Sequence, residues 1–209
     1  MPRSEAKVAL LLIDWINDLE FEGGDQILPQ AIAAAKATAA LRRRAKQAGV
    51  PVIYCNDNFG KWRSDFRATL DHVLKDGVRG QPLAELLAPD EQDYFVLKPK
   101  HSGFHSTSLD VLLDYLGART LILTGIAGNF CVMFTAHDAY MRDFKLLVPP
   151  DCTASEEESD NRHALEHMAK VCKADTGPSA GIDFSKSCTE DTSRSSGSSR
   201  GRPSRSAAG

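Results

Sequence analysis

Five stretches of the sequence are apolar almost without interruption: "VALLLID" (8–14), "VPVIYCN" (50–56), "DYFVLK" (93–98), "TLILTG" (120–125) and "FKLLVP" (144–149). A strand with one face in water alternates apolar and polar residues; a strand covered on both faces does not. Segments of helical period lie between these stretches. "LPQAIAAAKATAALRRRAKQAG" (28–49) has Pro29 for its first turn and Gly49 to end it, with Arg42, Arg43, Arg44 and Lys46 where cations favour the helix dipole. In "TSLDVLLDYLGA" (107–118), Thr107 and Asp110 have capping-box spacing, and Leu109, Leu112, Leu113 and Leu116 form one stripe. "NFCVMFTAHDAYMRD" (129–143) and "SEEESDNRHALEHMAKVCKA" (155–174) are two further helices, the second opened by Ser155 and Glu158 as another capping box. Strands alternating with helices imply an α/β chain with a doubly wound, mainly parallel sheet sandwiched by helices.

The stretch 57–92 breaks this rhythm. It reads as irregular, with short helices near 66–75 and 82–88, and connections of that length are often functional. From residue 176 onward Ser, Gly and Arg dominate and large apolar residues are few. Such a segment cannot bury enough surface to offset its ordering entropy, so the expected organisation is one domain over 1–175 and a disordered tail over 176–209.

The formal net charge of −3 supplies no bulk attraction to nucleic acid or an anionic membrane, and neither is expected as a partner. No apolar run reaches the roughly 18 residues of a membrane span, and the N-terminal run is too short for a typical secretory signal. A cytoplasmic location follows as the expectation. The five cysteines are odd in number, widely spaced and without a CxxC pair, which points to reduced thiols, not a disulfide framework or a zinc cluster.

In open parallel sheets, ligands bind beyond the carboxyl ends of the strands. The first strand ends at Asp14, the third at Lys98, and the fourth runs through "GIAGN" to Cys131 at the start of a helix. A carboxylate, an ammonium and a thiol therefore converge if these strands are neighbours. A helix N-terminus and an ammonium both favour a thiolate. Asp14 is placed to accept the thiol proton and pass it to a leaving amine, and the turn before the helix offers N–H groups to an oxyanion. Beyond the second strand, Asn56, Phe59, Trp62 and Arg63 combine an amide, two aromatics and a guanidinium, suited to a small polar or carboxylated substrate. In the loop after Lys98, Phe104 is also expected at the substrate, and His101 and His105 flank it as further candidates.

The segments "LLIDWIND", "VLKPKHSGFHSTSLDVLL" and "LILTGIAGNFCVMFTAHDA" resemble the isochorismatase-like cysteine hydrolases, which include nicotinamidases and N-carbamoylsarcosine amidohydrolases. The resemblance runs from about Val8 to Ala174, and "NDNFGKWRSDF" (56–66) is similar to a poorly characterised bacterial branch. It implies an Asp14–Lys98–Cys131 triad, a cis peptide between Ile126 and Ala127, and an oxyanion hole made by the N–H groups of Ala127 and Cys131. It also implies a homodimer or homotetramer and a small-molecule substrate. The first motif departs from the pattern at Ile16 and Leu19, where many relatives have Gln and Phe. Nicotinamidases hold a metal through histidines beyond the second strand; this stretch has none, so neither a metal nor another cofactor is expected. True isochorismatases carry a residue other than Cys at the nucleophile position. Cys131 therefore favours cleavage of a C–N bond in an amide, imide or carbamoyl compound over vinyl-ether hydrolysis or silent metabolite binding.

Overall fold

The computed structural model describes residues 8–60 and 65–184. The strands are β1 (Val8–Ile13), β2 (Val52–Asp57), β3 (Tyr94–Lys98), β4 (Thr120–Ile126), β5 (Lys145–Leu147) and β6 (Thr153–Ala154). They form one sheet in the order β3-β2-β1-β4-β5, with β6 pairing the far end of β4, and every pairing is parallel. The order reverses between β1 and β4, which opens a crevice beyond their carboxyl ends.

Helices cover both faces. On one lie α1 (Gly24–Gln47), α2 (Phe66–Lys75) and α3 (Gln81–Leu86); on the other lie α4 (Leu109–Tyr115), α5 (Met133–Tyr140) and α6 (Glu158–Val171). The strands show why their sequence is continuously apolar. Leu10 and Leu12 pack with Ile27, Leu41 and Tyr54 beneath α1, whereas Ala9, Leu11 and Ile13 pack with Leu113, Val132 and Met168 on the opposite side. All five of those β1 residues are fully buried. This is the doubly wound sheet that the unbroken apolar runs imply.

Several local expectations need correction. The first helix begins at Gly24, a turn before the expected start, and Pro29 lies inside it. Its first turn is held from outside the periodic pattern, by Gly24 N–H to Phe21 O and by Gln26 and Ile27 N–H to Gly23 O. Neither capping box forms. Glu157 occupies the N-cap of α6 without a side-chain bond, because Ser155 Oγ instead accepts from Asn129 N–H at 3.2 Å across the fold. Thr107 Oγ1 donates to Gly103 O at 2.6 Å and accepts from Leu109 N–H, two residues on. The expected boundary at 175 also falls short. Residues 176–184 pack on the domain, with Ser179 and Phe184 buried and the Arg44 guanidinium donating to the carbonyls of Ser179 and Ile182. The remainder of the expected tail, 185–209, lies outside the described residues.

Gly125 lets β4 approach β1 at the crevice. Its φ is +144°, and a Cβ there would lie 2.2 Å from Ile13 O, a backbone atom that cannot move aside without breaking the ladder. Gly49 also has a positive φ, +72°, but a Cβ there would meet nothing within 4 Å. Gly49→Ala is expected to cost about 1 kcal/mol, from backbone conformation alone. Gly125→Ala, which adds the collision, is expected to cost about 3 kcal/mol or more and to lower Tm by roughly 6–12 °C. Thermal melts of the two variants compare them directly, and equal losses would show that the strand contact is unimportant.

Candidate active site

Four strand ends meet in the crevice. Asp14 follows β1 in a left-handed backbone conformation, φ +54°, with its N–H bonded to Cys55 O at 3.0 Å. Asp carries that conformation more readily than most side chains. Its carboxylate turns toward Lys98, the last residue of β3, whose Nζ lies 2.7 Å from Asp14 Oδ2. Asp57 ends β2 in register with Lys98. Its N–H donates to Asp14 Oδ1 at 2.7 Å, and its carboxylate lies 3.4 Å from Lys98 Nζ.

Cys131 reaches the same point from β4. The peptide between Ile126 and Ala127 is cis, as the resemblance implies. The chain then makes a wide helical turn over Gly128–Val132, closed by Val132 N–H to Ala127 O five residues back, before continuing as α5. The expected single helix over 129–143 is thus a π turn followed by an α-helix. Ser155 Oγ receives the Asn129 N–H, and Asn161 packs so tightly on Gly128 that a Cβ would come 2.0 Å from its Oδ1. Thr135 Oγ1 donates to Cys131 O at 2.7 Å and accepts from Gly103 N–H, tying the turn to the loop after β3. So held, Cys131 Sγ lies 3.6 Å from Lys98 Nζ, the same ammonium that pairs with Asp14.

Burial is the largest single influence on each of these groups. It pushes the Asp14 carboxyl up, against the Lys98 ammonium that pulls it down. It would lower Lys98, but the charges of Asp14, Cys131 and Asp57 together outweigh it and hold the amine above its ordinary value. It raises the Cys131 thiol, the Asp14 charge raises it further, and Lys98 only partly offsets both. Cys55 is pushed up to about 12 and Cys152 to about 11, both by burial first, and neither lines the pocket.

The pocket above these groups has a volume of about 590 Å³. Asp14, Ala127 and Cys131 line it, with Asp57, Asn17 and Glu156 as further polar groups. Phe21, Phe59, Phe130 and His101 supply its apolar wall, and the His101 ring meets Phe130 edge-on at 4.4 Å. Of the expected substrate residues, only Phe59 lies there. Asn56 is fully buried, its Nδ2 donating to Ile16 O, because its side chain leaves the strand on the face opposite to Asp57. Phe104 is 4% exposed and sits between Phe144 and the Arg142 guanidinium, in the core beneath α4. His105 is exposed and is not part of the wall, and Trp62 and Arg63 lie outside the described residues. Ile16 and Leu19, the departures in the first motif, are fully buried; Asn17 and Phe21 of the same loop face the pocket instead.

Asp57, Glu156, Phe21 and Phe130 were not anticipated. Asp57 obeys the same strand-end rule as Asp14, one residue beyond the expected end of the second strand. The others carry no local signal, since a Glu before a helix and an exposed Phe are ordinary on any surface.

Comparison with known proteins agrees with this geometry. The Isochorismatase domain model matches residues 8–176. An uncharacterized isochorismatase family protein of Bacillus subtilis, YaaI, is 40% identical over 172 residues, covering 82% of this chain and 94% of that protein. Maleamate amidohydrolase of Pseudomonas putida is 29% identical, covering 81% of this chain and 80% of its own. The crystal structure of N-carbamoylsarcosine amidase from Thermoplasma acidophilum superposes with a TM-score of 0.66 at 26% identity, over 85% of this chain and 99% of that one. A strand-end site on this sheet order, a family model spanning nearly all the described residues and a relative at 40% identity lead to one conclusion: the chain belongs to the isochorismatase family of hydrolases.

Proposed function

We propose that the chain is a cysteine hydrolase that cleaves a C–N bond of a small amide, imide or carbamoyl compound. The observation that carries this reading is the placement of the buried Lys98 Nζ, 2.7 Å from Asp14 and 3.6 Å from Cys131 Sγ, two residues that line the pocket. Maleamate amidohydrolase and N-carbamoylsarcosine amidase, both named for amide chemistry, are among its relatives.

The resting proton sits on sulfur. The ordinary gap between a thiol and an aspartic acid is about 4.6 pK units, or about 6 kcal/mol. At an effective dielectric of about 20, the closer approach of Lys98 to Asp14 than to Sγ favours charge on Asp14 by about a further 1.5 kcal/mol. Attack therefore begins from thiol and carboxylate. As Sγ bonds to the substrate carbonyl carbon, its proton passes to Asp14. The carbonyl π pair moves to oxygen, where the N–H groups of Ala127 and Cys131 receive it. Collapse breaks the C–N bond, Asp14 returns the proton to the leaving nitrogen, and a thioester remains. A water attacks the thioester with Asp14 again as base, releasing a carboxylic or carbamic acid and restoring the thiol. Through each transfer Lys98 stays charged, and while Asp14 is protonated Asp57, 3.4 Å from Nζ, remains its counter-charge.

An amide panel tests the reaction. Cys131→Ala is expected to abolish turnover, and Asp14→Asn to lower kcat by about 10⁴-fold or more. Mass spectrometry of the wild type with substrate should show an acyl adduct on Cys131; full-rate hydrolysis by Cys131→Ala would sink the assignment.

The charge arrangement gives a second expectation, opposite in direction for the same variant. At pH 7.5 the Cys131 thiol of the free enzyme should react with iodoacetamide more slowly than free cysteine. Its rate should still be climbing where free cysteine, with a pKa of about 8.5, has levelled off. Asp14→Asn removes the second-largest cause that raises this thiol, so the thiolate should form at lower pH and alkylation at pH 7.5 should become faster, while hydrolysis is lost. An alkylation rate that falls in Asp14→Asn would contradict this account.

A further inference from the structure

Away from the pocket, α5 and α6 meet through two imidazoles. His137 Nε2 and His167 Nε2 lie 3.0 Å apart, with ring centroids separated by 5.1 Å and planes inclined by 58°. His137 Nδ1 lies 2.9 Å from Met133 O. A carbonyl only accepts, so Nδ1 carries a proton and the neutral ring directs the Nε2 lone pair at His167. Without a metal, His167 Nε2–H donates to it. His167 is exposed and His137 half-buried, so the pair is open to solvent on one side.

From this geometry we propose a bis-histidine site for a borderline divalent metal, Zn²⁺ or Ni²⁺, bridging α5 and α6. Zinc–imidazole bonds of about 2.0–2.1 Å at a tetrahedral angle place the two nitrogens about 3.3 Å apart. The observed spacing needs only about 0.3 Å of opening to reach that value. The Met133 carbonyl supplies the outer partner that metal-bound imidazoles have, and it fixes the His137 tautomer before the ion arrives. On binding, His167 moves its proton from Nε2 to Nδ1. Two neutral nitrogens ligate, and no net proton is released. Among the described residues no group of three or more His, Cys, Asp or Glu is placed to hold an ion, so water fills the remaining positions. Imidazole with water suits Zn²⁺, Ni²⁺ or Cu²⁺ and not the oxygen-seeking Mg²⁺ or Ca²⁺. This site is separate from the catalytic pocket, for which no metal was expected. Its effect is mechanical. α5 continues directly from the Cys131 turn, and Asn161 near the start of α6 packs on Gly128 of that turn, so an ion joining the two helices braces the wall behind the nucleophile.

Calorimetric titration of tag-free full chain with ZnCl₂ and NiCl₂ tests the site. Cys131→Ser in every sample removes the pocket thiol as a competing ligand. One equivalent should bind, and His137→Ala or His167→Ala should each weaken it by at least about tenfold, no less than the loss of an outer partner does. His163→Ala, one turn earlier on α6, should leave it unchanged. At a metal concentration a hundredfold above Kd, Tm should rise by roughly 5–10 °C in the parent and not in the double His variant. Metal-free melts establish that the variants fold, and His167→Gln at its exposed position gives the same reading should His137→Ala fail to. Equal metal binding by parent and variants, or no binding by the parent, overturns the proposal.

Discussion

Lys98 is fully buried and charged, and an ammonium in that position survives only with close counter-charges. Asp14 at 2.7 Å and Asp57 at 3.4 Å provide them. These three residues end β3, β1 and β2, so the ion cluster also sets how three neighbouring strands finish at one edge of the sheet. Removing Asp14 would leave the buried ammonium with only the more distant Asp57, at 3.4 Å; removing the amine would leave two carboxylates facing each other. The cluster is thus a fixed electrostatic frame into which the β4 turn lowers a thiol.

That turn needs its own supports, because a π turn leaves backbone groups without the partners an α-helix would provide. Ala127 O takes two N–H groups, from Phe130 and Val132, while Ser155 Oγ takes that of Asn129. Thr135 fastens the Cys131 carbonyl to the loop that follows Lys98. Cys131 is therefore positioned from three directions: by β4 behind it, by the residues between β6 and α6 beside it, and by the β3 loop across from it. Ser155 illustrates the cost to local structure. It gives up capping α6 in order to satisfy a donor 26 positions earlier in the chain.

The convergence of Asp14, Lys98 and Cys131 was legible because the first two end apolar runs, and the third follows the turn after one, at the edge where parallel sheets bind ligands. That signal is local, and it needs only the strand order to become a site. Asp57 was lost by a single residue. The run "VPVIYCN" reads as complete at Asn56, yet alternation along the strand sends Asn56 into the core and Asp57 to the pocket. Phe104 misled for a related reason. A loop that follows a strand end at the crevice suggests substrate contact, but a large apolar side chain gains about 1.5–3 kcal/mol by burial, and a core position under α4 was available to it. The cap of α6 failed because a distant donor, Asn129 N–H, competed for Ser155, and that of α4 because Thr107 turned back to Gly103 O. The π turn was invisible, since "NFCVM" has an acceptable apolar face at either helical period.

The walls of the pocket separate two demands that a small hydrolase must meet. Its floor holds charge that must stay compensated while a proton moves, so it is built from strand ends that the sheet keeps fixed. Its sides come from loops. Asn17 and Phe21 belong to the loop after β1, Phe59 follows β2, His101 follows β3, and Glu156 precedes α6. The loop carrying Asn17 and Phe21 is itself anchored, with Arg79 donating to Leu19 O at 2.6 Å and Gly80 N–H to Asp18 O at 2.8 Å. The irregular stretch 57–92 thus contributes to the pocket at one end and clamps an opposing wall from the other. Ile16 and Leu19 sit behind that wall, fully buried, as part of the clamp. Ile16 and Leu19 therefore do not line the pocket themselves but back the loop that presents Asn17 and Phe21 to it.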